Sequence, residues 1–157
     1  MKATRKTILV SILSLIITGV MMYGYLNYHI ATKNFFILAF QEEIIKTVPA
    51  IILAWVFKEN RNFMIILWAV GFALIENAMY VRYSPDMMQT LTARSLVSLP
   101  AHFCFSLITI KSRNIPSGIL IAWVGHGLFN YWLESCPILW FVPWYIIWVL
   151  ISQNDRI

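Results

Sequence analysis

Residues 35–57 read FFILAFQEEIIKTVPAIILAWVF, and this stretch decides what kind of fold the chain can adopt. A helix of that length rises roughly 35 Å, enough to cross about 30 Å of hydrocarbon. Its middle nevertheless holds Glu42, Glu43 and Lys46. An ionisable residue at such a depth costs at least about 2.5–3.5 kcal/mol on insertion, so these side chains must face protein or a wet cavity rather than lipid. Glu42 and Lys46 are spaced i,i+4 and Glu43 and Lys46 i,i+3, so the lysine can pair with either carboxylate. Pro49 frees the carbonyl of Ile45, and Pro100, further on, frees that of Leu96. Both positions suit either a kink that opens backbone toward a wet cavity or simple bending.

Outward from this stretch the chain stays apolar. Of 157 residues, 60% are hydrophobic and only 12% charged, about half the roughly 25% of a soluble domain. That many apolar side chains cannot all be hidden inside so small a protein. Apolar stretches at 7–28, 35–57, 63–82, 94–110, 116–134 and 138–152 predict an all-α polytopic membrane helix bundle of about six transmembrane helices. The interruptions leave no room for a soluble domain, so residues 1–157 are expected to form a single membrane domain. Pro137 and Pro143 favour a tilted or interfacial sixth helix. Lys2, Arg5 and Lys6 precede a run from Ile8 to Met22 that lacks a small-x-small cleavage site and continues into Tyr23, Tyr25 and Tyr28. It reads as an uncleaved first span ending in an aromatic belt.

The net charge of +5 does not indicate a nucleic-acid partner, because the cations are scattered at span ends. There they set orientation. Lys2, Arg5, Lys6, Lys58, Arg61, Lys111, Arg113 and Arg156 fall on one side, and Lys33, Arg82 and Arg94 on the other. Eight against three predicts a multi-pass plasma-membrane protein with both termini cytoplasmic. Cys104 and Cys136 fit neither a disulfide framework nor a zinc knuckle, and read as packing residues.

Glu42, Glu43, Lys46, Glu76, His102, His126 and Asn130 all fall inside expected spans. Given the predicted orientation, they lie roughly 6–12 Å below the outer surface, in one layer shared by spans two to five. Residues that merely join helices by hydrogen bonds have no reason to share a depth. The layer therefore points to a single functional site near the extracytoplasmic side. Carboxylates, histidines and an asparagine without a nucleophile suit activation of water: a glutamate takes the proton, and a histidine with an asparagine stabilises the oxyanion. The same carboxylates and histidines suit a metal that acidifies bound water. The parts for serine, aspartyl and standard zincin chemistry are absent.

Four motifs in order carry a resemblance to the PrsW family of intramembrane proteases. Glu42-Glu43-Ile44-Ile45-Lys46 looks like its E-E-x-x-K motif, and Gly71-Phe72-Ala73-Leu74-Ile75-Glu76-Asn77 like its G-F-A-x-x-E-N motif. His102 resembles the lone histidine of the third motif, and His126-Gly127-Leu128-Phe129-Asn130 the final H-x-x-x-N. The PrsW-like proteins are grouped with the type II CAAX prenyl-protease, or glutamic intramembrane protease, superfamily. The resemblance implies a four-helix catalytic core over residues 35–134 around a membrane-embedded cavity. It implies that Glu42 activates water with help from Glu76, that His126 and Asn130 form the oxyanion site with His102 nearby, and that Glu43 partners Lys46. Phe72 and Asn77 take supporting places in the second motif. Spacing does not choose between Glu42 and Glu43 as the base. The cofactor question also stays open: a divalent metal such as zinc would find Glu76, His102 and His126 as candidate ligands.

The implied partner is a membrane-protein or peptide substrate, with a single-span anti-sigma factor as the family's example of regulated proteolysis. Two other readings stand beside it. One is a non-catalytic membrane scaffold of the same superfamily. The other is a proton-coupled transporter, which the lack of internal repeats and the confinement of polar groups to one layer count against.

Overall fold

The computed structural model describes residues 34–132, 136 and 141–152, together with helical residues at 9–10, 12–13, 16–17, 19–21 and 24. The expected first span 7–28, including its tyrosine belt, lies largely outside the described residues. Among the described residues there is no strand, and from Asn34 onward six helices follow: α1 (Phe35–Phe57), α2 (Arg61–Tyr83), α3 (Met87–Leu96), α4 (Ser98–Lys111), α5 (Ile115–Trp132) and α6 (Val142–Ser152).

Local sequence sets where these helices start. Asn34 Oδ1 accepts from the amides of Phe36 at 3.0 Å and Ile37 at 3.2 Å. Asn60 caps α2 through Phe63 N at 3.0 Å, Asp86 caps α3 through Gln89 N at 2.9 Å, and Asn114 accepts from Ser117 N at 2.9 Å ahead of α5. Each short polar side chain satisfies an amide that the first turn leaves without an intrahelical partner. Lys58 ends α1 in the left-handed region, at φ 56°. There its amide bonds back to the carbonyls of Ala54 and Trp55, as at other left-handed caps.

The expected fourth span, 94–110, is longer than its apolar run suggested. The Asp86 cap starts helix at Met87, and the chain bends at Val97 (φ −117°, ψ −58°) before continuing as α4. Pro100 is the cause, because its ring excludes the amide that Leu96 O would bind. That carbonyl does not open to a cavity. It accepts a 2.9 Å hydrogen bond from the indole Nε1 of Trp144, on α6. Pro49, by contrast, sits within a continuous α1.

α1 packs on α2 and α5, and α4 packs on α2, α5 and α6, so α1, α2, α4 and α5 close a ring. Small residues let them approach: Ala39, Ala50, Ala69, Ala73 and Ala122 are fully buried. A Cβ on Gly118 would lie 2.6 Å from the carbonyl oxygen of Thr109, so α4 and α5 meet there backbone to backbone.

Polarity runs inside-out. Glu43 and Lys46 are 0% exposed, while Trp55 is 81%, Ile121 54% and Trp148 65% exposed. Water would impose the opposite arrangement, whereas hydrocarbon accepts apolar side chains outside and drives ionisable ones inward. Arg61–Tyr83 and the continuous stretch Met87–Lys111 are each long and apolar enough to cross a membrane. α1 has the length as well, with its three ionisable residues turned inward. The eleven described residues of α6 rise only about 16 Å. The chain is an all-α membrane helix bundle.

Replacing Gly118 with alanine is expected to push α4 and α5 apart, with a loss of about 1–3 kcal/mol. Thermal unfolding in detergent measures it. Gly125→Ala, whose Cβ would meet only the ring of Phe105 at 3.2 Å, should cost less.

Candidate active site

Six of the seven polar residues grouped from the sequence, Glu42, Glu43, Lys46, Glu76, His102 and His126, close into one connected chain of side chains, and Asn130 stands outside it. That chain begins on α1. Lys46 Nζ donates to Glu43 Oε1, one turn earlier, and to His102 Nδ1 on α4 at 3.1 Å. His102 Nε2 meets Glu76 Oε2, on α2, at 2.8 Å. Glu43 Oε1 also receives His126 Nδ1, on α5, at 2.8 Å, and the other nitrogen of His126 faces Glu42 Oε2 at 3.4 Å. All four helices of the ring thus contribute, and Lys46 pairs with Glu43 rather than with Glu42.

The donors and acceptors fix the rings. An ammonium has no lone pair to offer, so the Nδ1 of His102 that meets Lys46 must be bare. Its proton is then on Nε2, donated to Glu76. His126 donates from Nδ1 to the Glu43 carboxylate, which leaves Nε2 as its working nitrogen toward Glu42. Aromatic contacts hold the rings in place. Phe105 stacks on His126 with centroids 4.8 Å apart, Phe72 meets His102 edge-on at 5.2 Å, and the two histidines are perpendicular at 5.3 Å. Lys46 Nζ also lies 5.6 Å from the Phe72 ring centroid, so the phenylalanine of the second motif lies against both Lys46 and His102.

Beside this chain lies a cavity of about 190 Å³, lined by Glu42, Glu76, His102, His126 and Asn130 with apolar walls from Phe35, Leu38 and Phe129. Glu43 and Lys46 do not line it; they stand behind it, fully buried. Asn130, one turn beyond His126 on α5, is half-buried.

Arg94 is the residue whose place the sequence reading missed. Counted there among the cations that set orientation, it turns inward instead. Its Nη2 lies 2.9 Å from Glu76 Oε2, and its Nε donates to Asn77 Oδ1 at 2.9 Å. Its guanidinium lies 3.8 Å from the centroid of the Tyr80 ring. Ser98 joins the group at 3.3 Å from Arg94 Nη2 and 3.4 Å from Glu76 Oε2. The signal was present, since positions 94, 98 and 102 recur every four residues and share a helix face. Without Arg94 the orientation count is eight cations against Lys33 and Arg82.

The atoms that could hold a metal also differ from expectation. Ligand atoms of Glu42, His102 and His126 lie within 4.8 Å of one another. Glu42 stands where Glu76 was expected, because Arg94 and His102 already hold Glu76. Two imidazoles and a carboxylate fit a divalent metal such as zinc in donor type. Holding it would take one present hydrogen bond from His102, whose two nitrogens are both engaged.

A membrane helix bundle whose interior joins three glutamates, two histidines and a lysine beside a cavity has the makings of a membrane-embedded hydrolase. The chain matches the family described as PrsW family intramembrane metalloprotease over residues 3–152. It belongs to that family and is a membrane protease in general terms. Neither a curated protein nor a solved structure matches it.

Lys46→Met should cost about 3–5 kcal/mol, the usual penalty for stripping a buried charge of its partner. The double variant Glu43→Gln/Lys46→Met should recover much of that loss. Chemical unfolding in a fixed detergent measures the pair as a cycle, and equal losses in both variants would count against the ion pair.

Proposed function

We propose that the protein is an endopeptidase that hydrolyses peptide bonds of membrane-embedded proteins or peptides in this cavity, with Glu42 as general base. The observation that carries the reading is the unequal engagement of three chemically identical carboxylates. Glu43 is held by Lys46 and His126, and Glu76 by His102 and Arg94. Glu42 lines the cavity with its nearest partner at 3.4 Å. Of the three, it is the one with capacity to accept a proton from water.

In this mechanism water lies between Glu42 and a substrate carbonyl. Glu42 takes one proton as the water oxygen adds to the carbonyl carbon. The oxyanion that forms is met by the Asn130 amide, which has no protein partner among the described residues, and by His126 in its imidazolium form, in which Nε2 as well as Nδ1 carries a proton. Glu42 then returns the proton to the leaving nitrogen, and the carbon–nitrogen bond breaks to give an acid and an amine. Glu43 holds the ring of His126, and Lys46 holds Glu43. A divalent metal bound by Glu42, His126 and His102 would occupy the carboxylate that otherwise serves as base, and in its place would supply Lewis acidity and a more acidic water.

The catalytic unit is the ring of helices within residues 35–134. The cation distribution supports a multi-pass protein of the plasma membrane with cytoplasmic termini and a cavity toward the extracytoplasmic side. The apolar cavity walls suit a segment leaving the bilayer, such as the end of a single-span protein. An anti-sigma factor or a small peptide precursor has that form.

The test is a mass-spectrometric survey of new protein termini in native membranes from cells carrying wild type, Glu42→Gln or His126→Ala at matched levels. Termini found in wild type alone, clustered near the outer edge of single-span proteins, are expected. Because Glu42→Gln keeps the shape and removes only the base, cleavage should fall by at least about 100-fold. Full activity in a folded Glu42→Gln protein would transfer the base role to another carboxylate.

A further inference from the structure

We infer that Arg94 is a positioning residue: it anchors Glu76 and thereby fixes the His102 ring on which the connected chain turns. The chain of contacts runs Arg94, Glu76, His102, Lys46, Glu43, His126, Glu42, from the cavity wall to the proposed base. Arg94 is its outer terminus. No family motif quoted above contains it.

The geometry suits an anchor. A guanidinium presents its donors in a rigid planar fork, so one arginine can hold several acceptors at fixed angles. Arg94 uses that fork to tie α3 to α2 through Glu76 and Asn77, and to α4 through Ser98. Tyr80, from α2, covers its face. Glu76 Oε2 is shared, since the same oxygen that receives Arg94 also receives His102 Nε2. The position of that oxygen therefore decides which way the His102 ring turns, and the ring decides whether Nδ1 meets Lys46. A carboxylate left without Arg94 would be a buried charge short of its cation, free to turn away from the histidine.

The placement of Arg94 at the bend gives this anchor its reach. It stands three residues before Val97, where α3 ends and α4 begins. Trp144 holds the same bend from the other side through Leu96 O. The two contacts together clamp the start of α4, four residues ahead of His102.

The inference rests on the proteolytic reading for its kinetic arm only. Its first arm is nitrogen-15 NMR of histidine-labelled protein in nanodiscs, where protonated and bare ring nitrogens give separate signals. Wild type should show His102 with its proton on Nε2 alone. Arg94→Gln should convert this to a mixture of both tautomers. Arg94→Lys, which keeps the charge on Glu76, should restore most of the original pattern. Met64→Ala, in the apolar cluster of Ala50, Ala54, Ile65 and Trp68, serves as a control for destabilisation: it should lower the unfolding temperature and leave the pattern of His102 unchanged.

The second arm measures cleavage of a substrate identified by the survey of termini. Arg94→Gln should lower kcat by about 10-fold to 100-fold, the range in which small misplacements of catalytic groups act, with KM little changed. Arg94→Lys should recover part of it. An unchanged His102 pattern in folded Arg94→Gln overturns the inference, whatever happens to cleavage. A rise in KM at constant kcat also overturns it, because Arg94 would then be holding substrate. Absence of cleavage by wild type would sink the proteolytic reading while the NMR arm still decides the role of Arg94.

Discussion

A charge in a low-dielectric interior must have a partner, and the rest of this molecule is arranged around that demand. Lys46 cannot reach water, so it must be paired. Glu43 answers it from the same helix and His102 from α4. Each of those needs a second partner in turn, and the requirement passes through His126 and Glu76 to the cavity wall. The ring of α1, α2, α4 and α5 is the arrangement that gives every ionisable member a partner at once. Apolar packing in a membrane discriminates weakly between helix partners, because lipid is as apolar as leucine. The polar chain and the close contacts of small residues supply the specificity that burial supplies in water.

The same constraint separates three identical carboxylates into different roles. Pairing locks Glu43 and Glu76 in place, and the carboxylate with the longest contact faces the open space. Closely held and loosely held groups are thus made from one residue type, and distance to the nearest partner distinguishes them. The proposed chemistry needs a base that is held in position but not neutralised by its neighbours. A glutamate adjacent in sequence to a fully paired one meets that need, because successive helical residues point about 100° apart. One faces the interior of the ring and the other its cavity.

Much of the helical framework was legible from the chain. The span expected at 35–57 has the bounds of α1, that at 63–82 differs from α2 by one or two residues, and that at 116–134 begins one residue after the start of α5. Capping Asn34, Asn60 and Asn114 stand where apolar stretches begin, and those signals are local. Two features were misread, both at the bend before α4. The apolar run gave no sign that helix begins at Met87, since α3 is polar enough to resemble a loop. Arg94, near the end of a span, reads from composition as an interfacial charge, and only its four-residue spacing to Ser98 and His102 betrays an inward face.

The chain alone was enough to identify an all-α membrane protein, because long apolar stretches at a fixed rise per residue match the thickness of a bilayer. The sequence also brought together Glu42, Glu43, Glu76, His102, His126 and Asn130 as one group. Who pairs with whom came from the packing of the helices. Lys46 had two acceptable partners by spacing and took Glu43 together with His102, 56 positions away. Glu42 replaced Glu76 among the atoms that converge on the two histidines. The reason is rotation: the turn of each helix about its own axis, and the angle at which it crosses its neighbours, place side chains around the ring. Those quantities belong to the packed bundle rather than to any one stretch of chain.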